Sequence, residues 1–154
     1  MAGRIEQRIA TLGITLPTPA VPIANYVPFT ISGSLLVVSG QIPLKDGAVA
    51  YAGKVGAEVS LDDAKLAARL CFINVLAQVK AATGDLDRVV RVLRLGGFIA
   101  APSSFTQHAA VMNGASDLAV EVFGDVGRHA RSTIGVPSLP ADAAVEVEGM
   151  FEIG

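Results

Sequence analysis

Ile5, Ile9 and Leu12 recur at helical spacing, and Gly13 supplies a stop, so the pattern predicts a short helix over residues 4–12. Pro17, Pro19 and Pro22 follow. Proline removes backbone donors and restricts the residue before it, which makes this segment an extended, irregular lead-in. "VPFTIS" and "SLLVVSGQIP" read as two strands joined by a tight turn at 32–34. Residues 44–60 are polar and spaced by glycines, and are expected to form a long surface loop. The strongest helical signal spans 60–84. Ser60 can cap it, Asp62 and Asp63 suit its positive end, and Leu61, Ala64, Ala68, Phe72, Val75 and Val79 form an apolar face that Gly84 terminates. "DRVVRVLRLGGFIAA" alternates imperfectly, as a strand does, with Gly96-Gly97 marking a bulge or a close backbone approach. Residues 103–124 predict a second helix, weakened by Gly114 and stopped near Gly124. "ARSTIGV" and "AAVEVEGMFEI" are the last two strands. In the second of these, Val145 and Val147 share one face while Glu146 and Glu148 share the other.

The order helix, β, β, α, β, α, β, β predicts an α+β sandwich: a mixed β-sheet with two main helices packed on one face. The 154 residues fit one domain, residues 1–24 being an N-terminal helix and proline-rich extension. Composition adds one inference to this picture. Apolar residues make up 51% of the chain and charged ones 17%, lean in charge for a monomer and suited to a symmetric oligomer. The net charge of −2 leaves no broad basic face, so nucleic acid is not an expected partner. No apolar stretch is expected to span a membrane, the N-terminus lacks the apolar core of a signal peptide, and a cytoplasmic protein is expected. The single cysteine, Cys71, lies in an apolar helical run and reads as a small buried hydrophobe.

Candidate chemistry is sparse. There is no phosphate-binding loop and no GxSxG. His108 and His129 lack further ligands at metal-binding spacing, so no metal is expected. Arg131, at the start of a strand, offers a planar fork to a carboxylate or is a solvated surface charge. Glu146 and Glu148 either serve a site or form cross-strand ion pairs. His129 stands two residues from Arg131, with a packing role and a place on the rim of a site both open. Ser39 and Ser132 can donate hydrogen bonds to a ligand.

Four stretches taken together, "NYVPF" at 25–29, "VVSGQIP" at 37–43, "HARSTIGVPSLP" at 129–140 and "VEVEGMF" at 145–151, resemble the Rid family. These are the reactive intermediate deaminases, also called YjgF or L-PSP endoribonuclease-like proteins. The resemblance spans roughly residues 22–153, and the chain looks like a longer, divergent subgroup. It implies a chorismate mutase-like (bacillus chorismate mutase-like) fold assembled as a homotrimer, with sites in clefts between subunits. It also implies hydrolysis of a 2-imino or 2-enamino acid to the 2-keto acid and ammonia, without a cofactor. Matched residue by residue, Arg131 falls where the family holds the substrate carboxylate, and Glu146 where it positions water. Tyr26, Ser39, Thr133 and His129 fall at or beside ligand-binding positions. Thr133 stands where many members carry cysteine, Asn25 replaces a proline, and Gly135 replaces an acidic residue. A trimer that binds a small carboxylate metabolite without turnover, and a ribonuclease, are the alternative expectations.

Overall fold

The computed structural model describes all residues, Met1–Gly154. Its centre is a five-stranded sheet of order β1-β2-β7-β5-β6, where β1 is Phe29–Ser32, β2 Leu35–Gln41, β5 Val89–Ala100, β6 Ala130–Val136 and β7 Val145–Ile153. All neighbours are antiparallel except β5 and β6, which are parallel, so the sheet is mixed as expected. The β1–β2 turn forms at Gly33 and Ser34, where Gly33 takes a positive φ of 60°. Alternation along β7 sends Val145, Val147, Phe151 and Ile153 into the core and leaves Glu146, Glu148, Met150 and Glu152 on the opposite face. No helix covers that second face.

Helices α2 (Leu61–Thr83) and α3 (His108–Phe123) pack on the first face. Helix α2 is capped as its sequence demands: Ser60 Oγ accepts the Asp63 N–H at 3.1 Å, and Gly84 closes the helix at φ 74°. By length and composition alone it is apolar enough to cross a membrane. It lies inside the molecule instead, buried almost all round from Asn74 to Val79. A helix apolar on every side needs cover on every side. The sheet and α3 supply part, and α1 (Arg4–Thr11) with the proline-rich lead-in supplies the rest. Ile5 and Ile9 join the common core, and Gln78 Nε2 donates to the Ala20 carbonyl at 2.9 Å. Gly3, at the N-cap of α1, has no side chain to cap with, so Asp87 caps α1 from elsewhere by accepting the Arg4 and Ile5 N–H groups at 2.8 and 2.7 Å. Those two bonds hold its carboxyl below the usual range.

Two expectations change, and one pair of alternatives is decided. The 44–60 segment is no simple surface loop: it holds the small hairpin of β3 (Leu44–Lys45) and β4 (Ala48–Val49), and Val55 and Val59 are buried. The second helix starts at His108 rather than 103, because the Phe105 N–H closes a turn onto the Pro102 carbonyl and Phe105 packs inward. Gly96-Gly97 marks a close approach, not a bulge. Pairing runs unbroken through both glycines, while the irregularities in β5 lie nearer its start, at Val90 and Leu93. A Cβ on Gly97 would sit 2.5 Å from the Met112 sulfur, so this glycine lets α3 lie against the sheet.

Candidate active site

The β2 strand carries an irregularity between Val38 and Gln41, at Ser39-Gly40. Ser39 Oγ donates to the Val27 carbonyl at 2.8 Å, and its N–H to the Pro28 carbonyl at 2.9 Å. Ser39 therefore ties down the stretch that presents Tyr26. Gly40 faces Glu146 across the sheet, where any side chain would collide with the Glu146 carboxylate. Tyr26, Gly40, Ile42, Pro140 and Glu146 line one cavity of about 400 Å³. Pro140 reaches it from a turn in which Ala141 and Asp142 both take positive φ, 55° and 56°. That conformation is costly for residues with a Cβ. Lys54 Nζ anchors the turn by binding Asp142 Oδ1 at 2.6 Å.

Glu146 is half-buried and makes no hydrogen bond or ion pair within the chain. Burial first, and the neighbouring Glu148 second, raise its carboxyl above the ordinary range. A carboxylate poised in this way accepts a proton more readily than a solvated one. Glu148 has a different role, since its Oε1 lies 3.6 Å from Arg94 Nη1. The cross-strand ion-pair reading thus holds for Glu148 and not for Glu146.

Arg131 lies in β6 with its side chain on the helical face, laid across α3. Its Nη1 donates to Asn113 Oδ1 at 2.8 Å and Ser116 Oγ at 3.1 Å, and its Nη2 to the Ala109 carbonyl at 3.3 Å. Arginine has five N–H donors, so three are engaged and two remain, the number a bidentate carboxylate takes. His129 continues the network: Nδ1 lies 2.6 Å from the Gly127 carbonyl and Nε2 2.8 Å from Ser116 Oγ. A carbonyl can only accept, so Nδ1 carries the proton and Nε2 accepts from Ser116, leaving Ser116 oxygen free to accept from Arg131. Burial, with Arg131 as a lesser cause, keeps the His129 pKa below its usual value despite the Gly127 bond. His129 thus has both ring nitrogens engaged, and Ser116 links it to Arg131. Thr133 follows Arg131 on the same face, and its hydroxyl is buried without a partner. His108 packs edge-on against Phe105 at 5.2 Å and fills the space that Gly135 leaves open.

The chain therefore gathers the expected residues into two groups. Tyr26 and Glu146 share one cavity, which Ser39 braces; Arg131, Thr133 and His129 form the other group. Register shows why they stay apart. Glu146 pairs with Phe98 and Arg131 with Leu95, residues of opposite parity in β5, so the two side chains leave opposite faces of the sheet. At ordinary strand spacing and rise their Cα atoms are roughly 14 Å apart. Asn113, Ser116 and Gly40 had no signal of their own as site residues, being common types that matter here through what they touch.

A mixed five-stranded sheet with two helices on one face, a bare second face and a divided polar site defines an α+β protein of the chorismate mutase-like class. The chain belongs to the YjgF/chorismate mutase-like, putative endoribonuclease family, which matches residues 6–152. It is similar to the solved Atu1372 protein of unknown function from Agrobacterium tumefaciens, at 50% identity and TM-score 0.92, covering 97% of this chain and 92% of that one. It is also similar to a putative endoribonuclease from Shewanella oneidensis MR-1, at 36% identity and TM-score 0.95, covering 98% and 100%. At the level of fold, it further resembles Escherichia coli TdcF solved with bound serine, at 24% identity and TM-score 0.64, covering 89% and 94%.

Proposed function

We propose that the chain hydrolyses reactive 2-imino and 2-enamino acids to 2-keto acids and ammonia, in clefts between the subunits of a homotrimer. The observation that carries this reading is the frame around Arg131: three acceptors fix the guanidinium and leave two donors for a carboxylate. The serine bound to TdcF is a small carboxylate of the same kind. Because Arg131 and Glu146 leave opposite faces of one sheet, the cleft takes Arg131 and Thr133 from one copy and Tyr26 and Glu146 from the next.

The chemistry asks little of the protein. An enamine first takes a proton at C3 and gives one up from nitrogen to become the imine, whose C2 is already electrophilic. Arg131 holds the carboxylate, and Glu146 takes a proton from water as its oxygen bonds to C2. The C=N pair moves to nitrogen, which takes the proton that Glu146 has just accepted. Glu146 then takes the proton of the new C2 hydroxyl and passes it to nitrogen, the O–H pair closing to C=O as C–N breaks, so that both protons of water leave on ammonia. Orientation and proton handling are the main contributions.

The test follows the disappearance of 2-aminoacrylate released by a serine dehydratase. Wild-type protein is expected to accelerate it. Arg131→Ala should remove about 2–5 kcal/mol of stabilisation and with it most of the acceleration. If wild type matches a protein-free control, the deaminase reading fails; binding of 2-keto acids without turnover would then favour the non-catalytic trimer.

A further inference from the structure

Leu66, Arg69, Leu70 and Ile73 fall at i, i+3, i+4 and i+7 along α2, which places them on one stripe. Farther along, the helix is covered on nearly every side, but here cover is incomplete, and Leu66 is 49% exposed. The segment after α1, residues 13–17, forms a second wall beside the stripe. The β3–β4 hairpin and its continuation to Tyr51 form a third. Between them lies a groove of about 730 Å³, a size at which small-molecule sites are commonly found. Ile14, Leu16, Leu44, Leu66, Leu70 and Ile73 make it aliphatic. Its charged lining residues are Lys45, Arg69 and Asp46, and neither cation has an ion-pair partner within the chain. The groove shares only Leu44 with the cavity around Glu146 and does not include Arg131.

We infer that this groove is a second binding site, which takes an aliphatic chain ending in a carboxylate. The six aliphatic side chains disfavour a polar chain laid against them, because its groups would be left unpaired there. The excess of cations selects an anionic end over a neutral or cationic one, and Arg69 can grip both oxygens of a carboxylate. The occupant therefore carries an apolar tail of several carbons and one negative head. The inference does not depend on the deaminase reading.

Calorimetric titration of the full-length protein with saturated carboxylates from hexanoate to dodecanoate, each below its micellar concentration, tests it. One saturable site per chain is expected, with each added methylene tightening binding about three- to fourfold until the groove is filled. Arg69→Gln should weaken decanoate about tenfold while leaving decanol binding unchanged. Leu66→Glu, at an exposed position where the fold is not at risk, should weaken both. Arg131→Ala should bind decanoate as wild type does, which separates this groove from the carboxylate position proposed for catalysis. The inference is overturned by the absence of saturable binding at millimolar ligand, by affinity independent of chain length, by undiminished binding in Arg69→Gln, or by loss of binding in Arg131→Ala.

Discussion

Gly40 decides where Glu146 can lie. A methyl group at that position would meet the Glu146 carboxylate, the flexible end of a side chain that can swing away. Gly40→Ala is therefore expected to fold with a stability change within about 1 kcal/mol, yet to lose at least about tenfold in kcat if Glu146 handles the proton. Thermal melts beside steady-state kinetics check both halves. Glu146 also has a signature in pH. Its carboxyl is raised by burial and by Glu148, so its contribution to stability is fully present below the ordinary carboxyl pKa and is lost as pH rises through the raised value. Glu146→Gln removes that loss, so the variant should melt above wild type at neutral pH, with the gap narrowing as pH falls toward 4. A gap that widens in acid would contradict this assignment. Arg131 and Glu146 were legible through the company their motifs keep. Asn113 and Ser116 were not, since an asparagine and a serine on a helix signal nothing until β6 lays an arginine across them.

Elements with a strong period, α2 and β7 above all, appear where their patterns place them, because burial on a helix or sheet repeats at the same interval as the chain. Local pattern does not extend to contacts made across the fold. Residues 44–60 look like a polar loop, but Ala52 bridges to Ala143 and the Gly53 N–H donates to the Asp142 carbonyl at 2.8 Å, which draws Val55 into the core. Gly114 offers a similar lesson. Propensity marks it as a weakness in α3, whereas the structure uses it as the crossing point with α2, where a Cβ would strike the Lys65 carbonyl. Backbone on both sides cannot yield as a side chain does. Gly114→Ala, which raises helix propensity, should nonetheless destabilise by roughly 2–3 kcal/mol in denaturant titrations. A neutral or stabilising result would mean that the two helices are free to separate.

At the scale of the whole molecule, the charge-poor composition and the bare sheet face point the same way. The sheet leaves Leu35, Met150 and Ile134 at least partly open to solvent, and both edge strands, β1 and β6, lack a partner on one side. Val21 and Ile23, 83% and 102% exposed, flank the cavity of Glu146. A closed symmetric assembly would cover such surfaces and bring one copy's Arg131 to the next copy's Glu146. Mixing two inactive variants tests that claim most directly. Arg131→Ala and Glu146→Gln are unfolded together in equal amounts, refolded and assayed with 2-aminoacrylate. Random assembly restores one intact pairing in four, so the mixture should recover about a quarter of wild-type activity. A mixture as inactive as either variant alone, in protein shown to have exchanged subunits, would contradict a site shared between copies.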